Sequence, residues 1–438
     1  MRVAWFSALP ISEAYSDLRS AYFSKHVLPL IKDKVELELF HNSFEPYEDY
    51  SCHHYLAAFK RHEEKPFDVF FYQLEDSPLC QFARVHALLK PGVVYFHDFV
   101  FTSFGPEPIL NSPWKIIQGK FAGVDVAWPK RDQKHYQDGP LAKREGTFAP
   151  IALFSNPAQH TQFKDLHLDS LADTSSSYFL PLPVSQDGKL VAPRMGKVRI
   201  GFCGSPRIEH RAHKLLSALS QMHEDCELMW MVRDKDRSHA ENLVAEFDIG
   251  AVSMVTDYGP AVWQDLTQSF DIAVHLAFSV YEQNDPYLGM SLMAGLPCLV
   301  TDFGPSQALP DNVVFKIQPG DSEAFQIQRV LEALNARQVA WNSQAARAFA
   351  VERYHVAAIS HDLVSTFERH ESDLRTLSLK WTEFEQSAKA ELLREARAVA
   401  NAESSGIRYK NLNINRLPDD NFVFNQICEP VFKELGWL

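Results

Sequence analysis

Short apolar runs of Val, Ile, Leu and Phe return along this 438-residue chain, and between them lie segments with the spacing of one-faced helices. Arg2 to Ser7, Val35 to Phe40, Phe67 to Tyr72, Val93 to His97 and Ile151 to Ser155 are such runs. Asp17 to Ile31 and Leu79 to Leu89 are amphipathic segments between them. A strand covered on both faces reads as an unbroken apolar run, whereas a half-exposed strand alternates. Parallel neighbours need a crossover, usually a helix, so this pattern predicts a doubly wound α/β sheet. Tyr178-Phe-Leu-Pro-Leu-Pro-Val184 closes the first set. A second set holds Val198 to Cys203, Glu227 to Val232, Val252 to Val255, Ile272 to Leu276, Cys298 to Thr301 and Val313 to Ile317. Its helices are Arg211 to Ser220, Ser238 to Phe247 and Glu323 to Leu334.

The expected architecture is therefore two doubly wound Rossmann-like domains with a cleft between them, followed by a helical C-terminal extension. The first domain spans 1–184 and the second 198–350. Ser185 to Lys197 contains Gly and Pro without periodicity and is the expected linker. A helix over 351–370 is expected to return to the first domain. In the extension over 371–438, Leu374, Leu377, Trp381, Phe384, Ala388 and Leu392 recur at spacings of three and four. That stripe is expected to pack on its own domain, with a partner-protein surface as the alternative. Ile407 to Leu438 has no clear period and is expected to be an irregular extension.

Composition excludes several function classes. A formal charge of −13 is wrong for a nucleic-acid binder, which needs concentrated Lys and Arg. It also disfavours broad adhesion to anionic lipid, although a local basic patch leaves peripheral membrane contact open. No apolar run approaches the roughly 20 residues that span a bilayer, and Met1-Arg-Val-Ala-Trp-Phe-Ser7 reads as a strand rather than a leader, so a cytoplasmic location is expected. The six cysteines are scattered without metal-ligand spacing. His53-His54 and Lys60 to Lys65 sit among polar, helix-like neighbours and read as a solvated face. No metal site is expected.

The richest stretch for chemistry is 271–310. An apolar run leads to Ser279-x-x-Glu282, and Asn284, Asp285 and Pro286 then open a short helix. Ala294-Gly295-Leu296-Pro297 turns into a second apolar run that stops at Asp302-x-Gly304. That order places Glu282, the helix start and the Asp302 turn at one edge of a parallel sheet, where α/β proteins bind nucleotides. Earlier, Ile200-Gly-Phe-Cys-Gly204-Ser205-Pro-Arg207 ends a strand just before a helix, whose free amides suit an anion.

Over about residues 1–370 the chain resembles glycosyltransferase family four, the retaining family with the GT-B fold. The resemblance implies that Glu282 is the first glutamate of the paired-glutamate signature and lies beside the donor sugar. It implies that the second glutamate holds the ribose hydroxyls, and at that place the chain has Met290, followed by Ser291. A thioether is a weak acceptor, so losing the carboxylate costs about 1.5–3 kcal/mol of nucleotide affinity unless another group replaces it. The resemblance further implies that Gly204, Ser205 and Ser279 contact the nucleotide. Arg207 and Arg211, with His210 and Lys214 nearby, would neutralise the leaving diphosphate, against the alternative of solvated helix-face charge.

His97, in Val93-Val-Tyr-Phe-His97-Asp98, would face the transferred sugar, against the alternative of a histidine bonded to its own backbone surroundings. The family's first loop is Gly-rich, whereas Ser7-Ala-Leu-Pro-Ile-Ser-Glu13-Ala has no glycine. Phe99, Phe101, Phe104 and Trp114 are candidates to stack on an acceptor, or simply to pack. The implied activity is sugar transfer with retention, from a nucleotide-sugar donor (a UDP- or GDP-sugar) to a glycan or lipid-linked acceptor, with no permanently bound cofactor. A catalytically inactive binding or accessory protein is the alternative from another class, and a nucleotide-sugar epimerase shares the fold and donor site.

Overall fold

A computed structural model of the chain describes residues 1–15, 17–99, 101, 121, 142–166, 176–184, 190–191, 196–222, 225–257, 259–278, 286–338, 341–401, 407–409 and 412–414. For residues 143, 144, 166 and 389–414 it describes the backbone alone. The first half supplies β1 (Arg2–Phe6), β2 (Glu36–His41), β3 (Ser51–His54), β4 (Val69–Leu74), β5 (Val93–Phe96), β6 (Ile151–Phe154) and β7 (Ser177–Phe179). They form one parallel sheet in the order β3-β2-β1-β4-β5-β6-β7. The second half supplies β8 (Val198–Cys203), β9 (Cys226–Met231), β10 (Val252–Val255), β11 (Ile272–His275), β12 (Cys298–Thr301) and β13 (Phe315–Ile317). These form a second parallel sheet in the order β10-β9-β8-β11-β12-β13. Each sheet reverses its strand order beside its first strand, between β1 and β4 and between β8 and β11. Ligands of open α/β sheets enter at such a switch point, outside the carboxyl ends of the strands.

Every strand expected from an apolar run is present. β3 was not anticipated: Ser51–His54, read as part of a solvated helical face, is an edge strand paired through Phe40↔His53 and His41↔His54. Edge strands are covered less completely and carry polar residues, which hides them from an apolar-run reading. The nearby Lys60 to Lys65 segment is not simply solvated either, since Arg61 pairs with the buried Glu38 at 2.5 Å.

The C-terminal helices also differ in outline from the sequence reading. A helix Ser343–Tyr354 ends at His355, and a second helix, Val356–Asn401, then runs for 46 residues. The boundary drawn at 370 falls inside this element. Val356, Ile359, Leu363, Phe367 and Leu374 join the core formed by Val3, Trp5, Phe71 and Tyr95 of the first sheet. Further along, Arg375 pairs with Asp68 at 2.6 Å, and Lys90 donates to the Thr382 hydroxyl. Trp381 is fully buried, and its indole N–H donates to the Leu89 carbonyl at 2.9 Å. Leu374 and Trp381 of the apolar stripe therefore pack on the chain's own first half. Among the described residues no helix is long and apolar enough to cross a membrane.

The two sheets meet through segments that leave the carboxyl ends of their strands. Asp17, on the connection after β1, reaches Arg233, after β9, at 3.9 Å. The helix Pro157–Leu166, after β6, touches the turn Gly304–Ala308, after β12. The carboxyl edges of both sheets thus line one cleft.

Replacing Trp381 with Ala removes a buried indole and orphans the Leu89 carbonyl. A loss of about 3–5 kcal/mol is expected, read as a lower urea midpoint for the first domain.

Candidate active site

The connection after β8 turns over Gly204 to Arg211 before the helix Ala212–Leu219 begins. Gly204 is there for packing: a Cβ at this position would lie 3.0 Å from the Phe202 ring and 3.1 Å from His210 Nδ1. Its own polar groups are spoken for. The N–H donates to the Met231 carbonyl at 3.3 Å, and the carbonyl accepts from the Trp230 indole at 2.8 Å. The Gly204 amide is thus bonded within the fold. The Ser205 hydroxyl accepts from the Arg207 amide at 3.4 Å and shapes the turn. Arg207 is exposed, and among the described residues no carboxylate pairs with it.

Arg211 holds the left-handed conformation, with φ of 57°, and stands at the start of Ala212–Leu219. Its Nε donates to Glu323 Oε1 at 3.0 Å, and Nη2 contacts Oε2 of the same fully buried carboxylate. The Glu323 carboxylate raises the Arg211 pKa further above its ordinary value, so the guanidinium stays charged. Its carbon also lies 4.8 Å over the Phe278 ring, and Phe278 stacks on Phe303 at 4.5 Å. Glu323 opens the helix Glu323–Asn335. In sequence it reads as an ordinary first-turn acid, and its separation of 112 positions from Arg211 leaves no spacing signal.

Ser279 and Glu282 lie outside the described residues, as do Asn284 and Asp285. Met290 and Ser291 are on the helix Tyr287–Met293. Met290 is 4% exposed and belongs to an apolar cluster with Val184, Trp263, Tyr287 and Tyr354. Ser291 is fully buried. Its hydroxyl donates to the Tyr287 carbonyl at 2.8 Å, accepts from the Trp263 indole at 3.1 Å and lies 3.2 Å from His275 Nε2. Ser291 therefore ties the end of β11 to this helix, and its hydroxyl already has three polar neighbours. Burial lowers the His275 pKa to about 3, so the ring is neutral in the fold.

On the first-domain side, His97 is fully buried at the end of β5. Its Nε2 is 2.7 Å from Gln73 Oε1, and its ring packs 4.3 Å from that of Tyr95. Burial, aided by the Arg19 charge, drives its pKa well down and keeps it neutral. Beside it, Glu75 fills the N-terminus of the helix Arg19–Ile31. It accepts from the Arg19 amide at 3.1 Å, the Ser20 amide at 3.0 Å and the Ser20 hydroxyl at 2.8 Å. Arg19 spans Glu75 at 3.2 Å and Asp98 at 2.8 Å. Burial lifts Asp98 to about 6 against the pull of Arg19. A first loop without glycine thus leads to a helix N-terminus already occupied by the protein's own carboxylate. Phe99 and Phe101 are buried in the core rather than offered to a ligand, and Phe104 and Trp114 lie outside the described residues. Among the described residues no group of three metal-ligating side chains converges.

No protein-family model matches this sequence, and no curated protein matches it. Solved structures do match in fold. Sucrose-phosphate synthase from Thermosynechococcus elongatus superposes with a TM-score of 0.61 at 12% identity, covering 85% of this chain and all (100%) of that one. Anabaena HepE in complex with UDP-glucose gives 0.57 at 13% identity over 84% of this chain and 100% of that one. A glycosyltransferase from Rickettsia africae gives 0.57 at 9% identity, over 84% and 98%. The chain has the GT-B architecture of these proteins, and at such identities the likeness concerns the fold.

The buried histidines make stability depend on pH. A His whose folded pKa is depressed contributes stability that is complete above its unfolded pKa of about 6.5 and is lost as pH falls toward the folded value. For His275 that window runs from about 6.5 down to about 3. His275→Gln is expected to flatten the fall of the urea midpoint between pH 6.5 and 5, by at most about 1.4 kcal/mol per pH unit.

Proposed function

We propose that the chain is a retaining glycosyltransferase of the family-four type, which transfers a sugar from a nucleoside-diphosphate donor to a hydroxyl acceptor. The observation that carries this reading is the switch point of the second sheet. There the β8 turn bearing Arg207 and Arg211 and the connection after β11 share one edge, and that edge faces the first domain. Two guanidinium groups beside a helix N-terminus suit a diphosphate. The UDP-glucose complex of HepE, with the same fold, supports a sugar nucleotide as the ligand.

In the proposed reaction the bond between the anomeric carbon and the donor phosphate oxygen breaks. The acceptor oxygen bonds to the same face of that carbon, and its proton passes to the leaving phosphate oxygen. Arg207 and Arg211 stabilise the charge that grows on the diphosphate, so rate enhancement comes from placement and electrostatics rather than from a protein base. By the resemblance of Ser279-x-x-Glu282 to the family's first glutamate, Glu282 is taken to lie beside the donor sugar. His97 is neutral, fully buried and held by Gln73 within the first domain, so no direct contact with the sugar is assigned to it. Met290 places an apolar side chain where a ribose-binding carboxylate stands in the family, so the ribose is held weakly. That substitution, with Arg211 already paired, supports a second reading as a binding protein that has lost turnover.

Titration with UDP, GDP and UDP-glucose separates the two readings. A transferase is expected to gain about 2.7 kcal/mol of stability at a nucleotide concentration 100-fold above Kd, and NMR of its product would show a retained anomeric configuration. Stabilisation by none of the three nucleotides would favour the binding protein, and an inverted product would refute the retaining mechanism.

A further inference from the structure

Four connections at the carboxyl edge of the second sheet meet around Arg211, with Phe278 and Glu323 touching its side chain and Phe303 backing Phe278. Arg211 itself follows β8, Phe278 follows β11, Phe303 follows β12 and Glu323 follows β13. Phe278 lies under the guanidinium and against Phe303, and its amide donates to the Glu209 carbonyl at 2.8 Å, which ties the β11 connection back to the β8 turn. Glu323 is fully buried and holds Arg211 through both carboxylate oxygens.

A guanidinium carries five N–H donors in a rigid plane. Glu323 takes the edge formed by Nε and Nη2, and the Phe278 ring covers one face. No described group takes the Nη1 edge. A buried carboxylate without its cation is strongly disfavoured, so the pair holds together and the plane of the guanidinium is fixed.

We infer that Glu323 is a positioning residue. It orients Arg211 so that the Nη1 edge is presented to the β-phosphate of a nucleoside diphosphate, with Phe278 setting the tilt of the plane. This rests on the donor-site reading above and assigns a role to a residue that the motif pattern did not reach. Arg211 then serves as a preset fork rather than a free cation. Its contribution depends on geometry as well as charge.

The test compares the affinities of UDP with UMP and of GDP with GMP, by calorimetry on the full chain. Glu323→Gln, Phe278→Leu and Arg211→Lys are each expected to lower the ratio of diphosphate to monophosphate affinity by about tenfold, which corresponds to 1.4 kcal/mol. Arg211→Lys keeps the charge and loses the fork, so a wild-type ratio in that variant overturns the inference. A purely structural role for Glu323 would weaken both nucleotides alike and leave the ratio unchanged, which also overturns it. Phe278 is partly exposed, so Phe278→Leu carries the test if Glu323→Gln does not fold, and an unchanged ratio there counts equally against the idea. If the wild type binds none of the four nucleotides, the donor-site reading fails first and takes this inference with it.

Discussion

The chain passes between its two sheets twice, and both crossings are held by one parallel bridge. The Val184 amide donates to the Tyr354 carbonyl at 2.7 Å, and the Val356 amide donates to the Val184 carbonyl at 3.0 Å. Val184 leads out of the first sheet, while His355 separates the last helix of the second domain from the helix that returns to the first. Tyr22 adds a hydrogen bond to the Pro183 carbonyl at 2.8 Å, and burial keeps its phenol protonated. Further contacts between the two halves, Asp17 with Arg233 and the helix Pro157–Leu166 with the turn Gly304–Ala308, come from segments at the carboxyl ends of strands. The cleft is a consequence of that geometry.

Within the cleft, much of the available charge is already used inside the fold. Glu75 occupies the helix N-terminus of the first domain, Arg19 is shared between Glu75 and Asp98, and Arg211 is paired with Glu323. Desolvated charges are retained only when paired and hydrogen-bonded, so each of these groups fixes a loop as well as an electrostatic potential. Arg207 stands apart as an exposed cation at the same edge. Under the proposed function, an entering diphosphate would meet one exposed guanidinium and one held by Glu323.

The sheets were legible in the sequence because buried parallel strands carry an unbroken apolar pattern. Val93–Phe96 and Cys298–Thr301 show it directly, since every residue of both is buried. Ser51–His54 was not legible, because its polar residues suit an edge. The helix Pro157–Leu166 was not placed from the sequence; in the structure Asn156 caps it by accepting from the Ala158 amide at 2.8 Å, and Pro157 takes the first position. The break at His355 inside an otherwise helical stretch is set by the bridge to Val184, a tertiary contact that local pattern does not encode. The candidate site divides in the same way. That the turn after β8 lies between a strand end and a helix start was legible, whereas its place at the switch point and the partners of Arg211 and His97 come from elements far apart in the chain.

Met290 shows how closely the site and the domain crossing are joined. Its helix packs on the bridge itself: a Cβ on Gly289 would lie 3.0 Å from the Val184 side chain and 3.2 Å from the Tyr354 ring. Gly289 allows that close approach, and Met290 fills the apolar cluster shared with both residues. A carboxylate at 290 would have to be buried in this cluster or drag the helix away from the bridge, and either is costly. The methionine is thus consistent with a helix that serves the domain junction first. Under the proposed function, a group that holds the nucleotide ribose would have to come from another element at the same edge, and the turn after β8 and the connection after β11 are the nearest in topology.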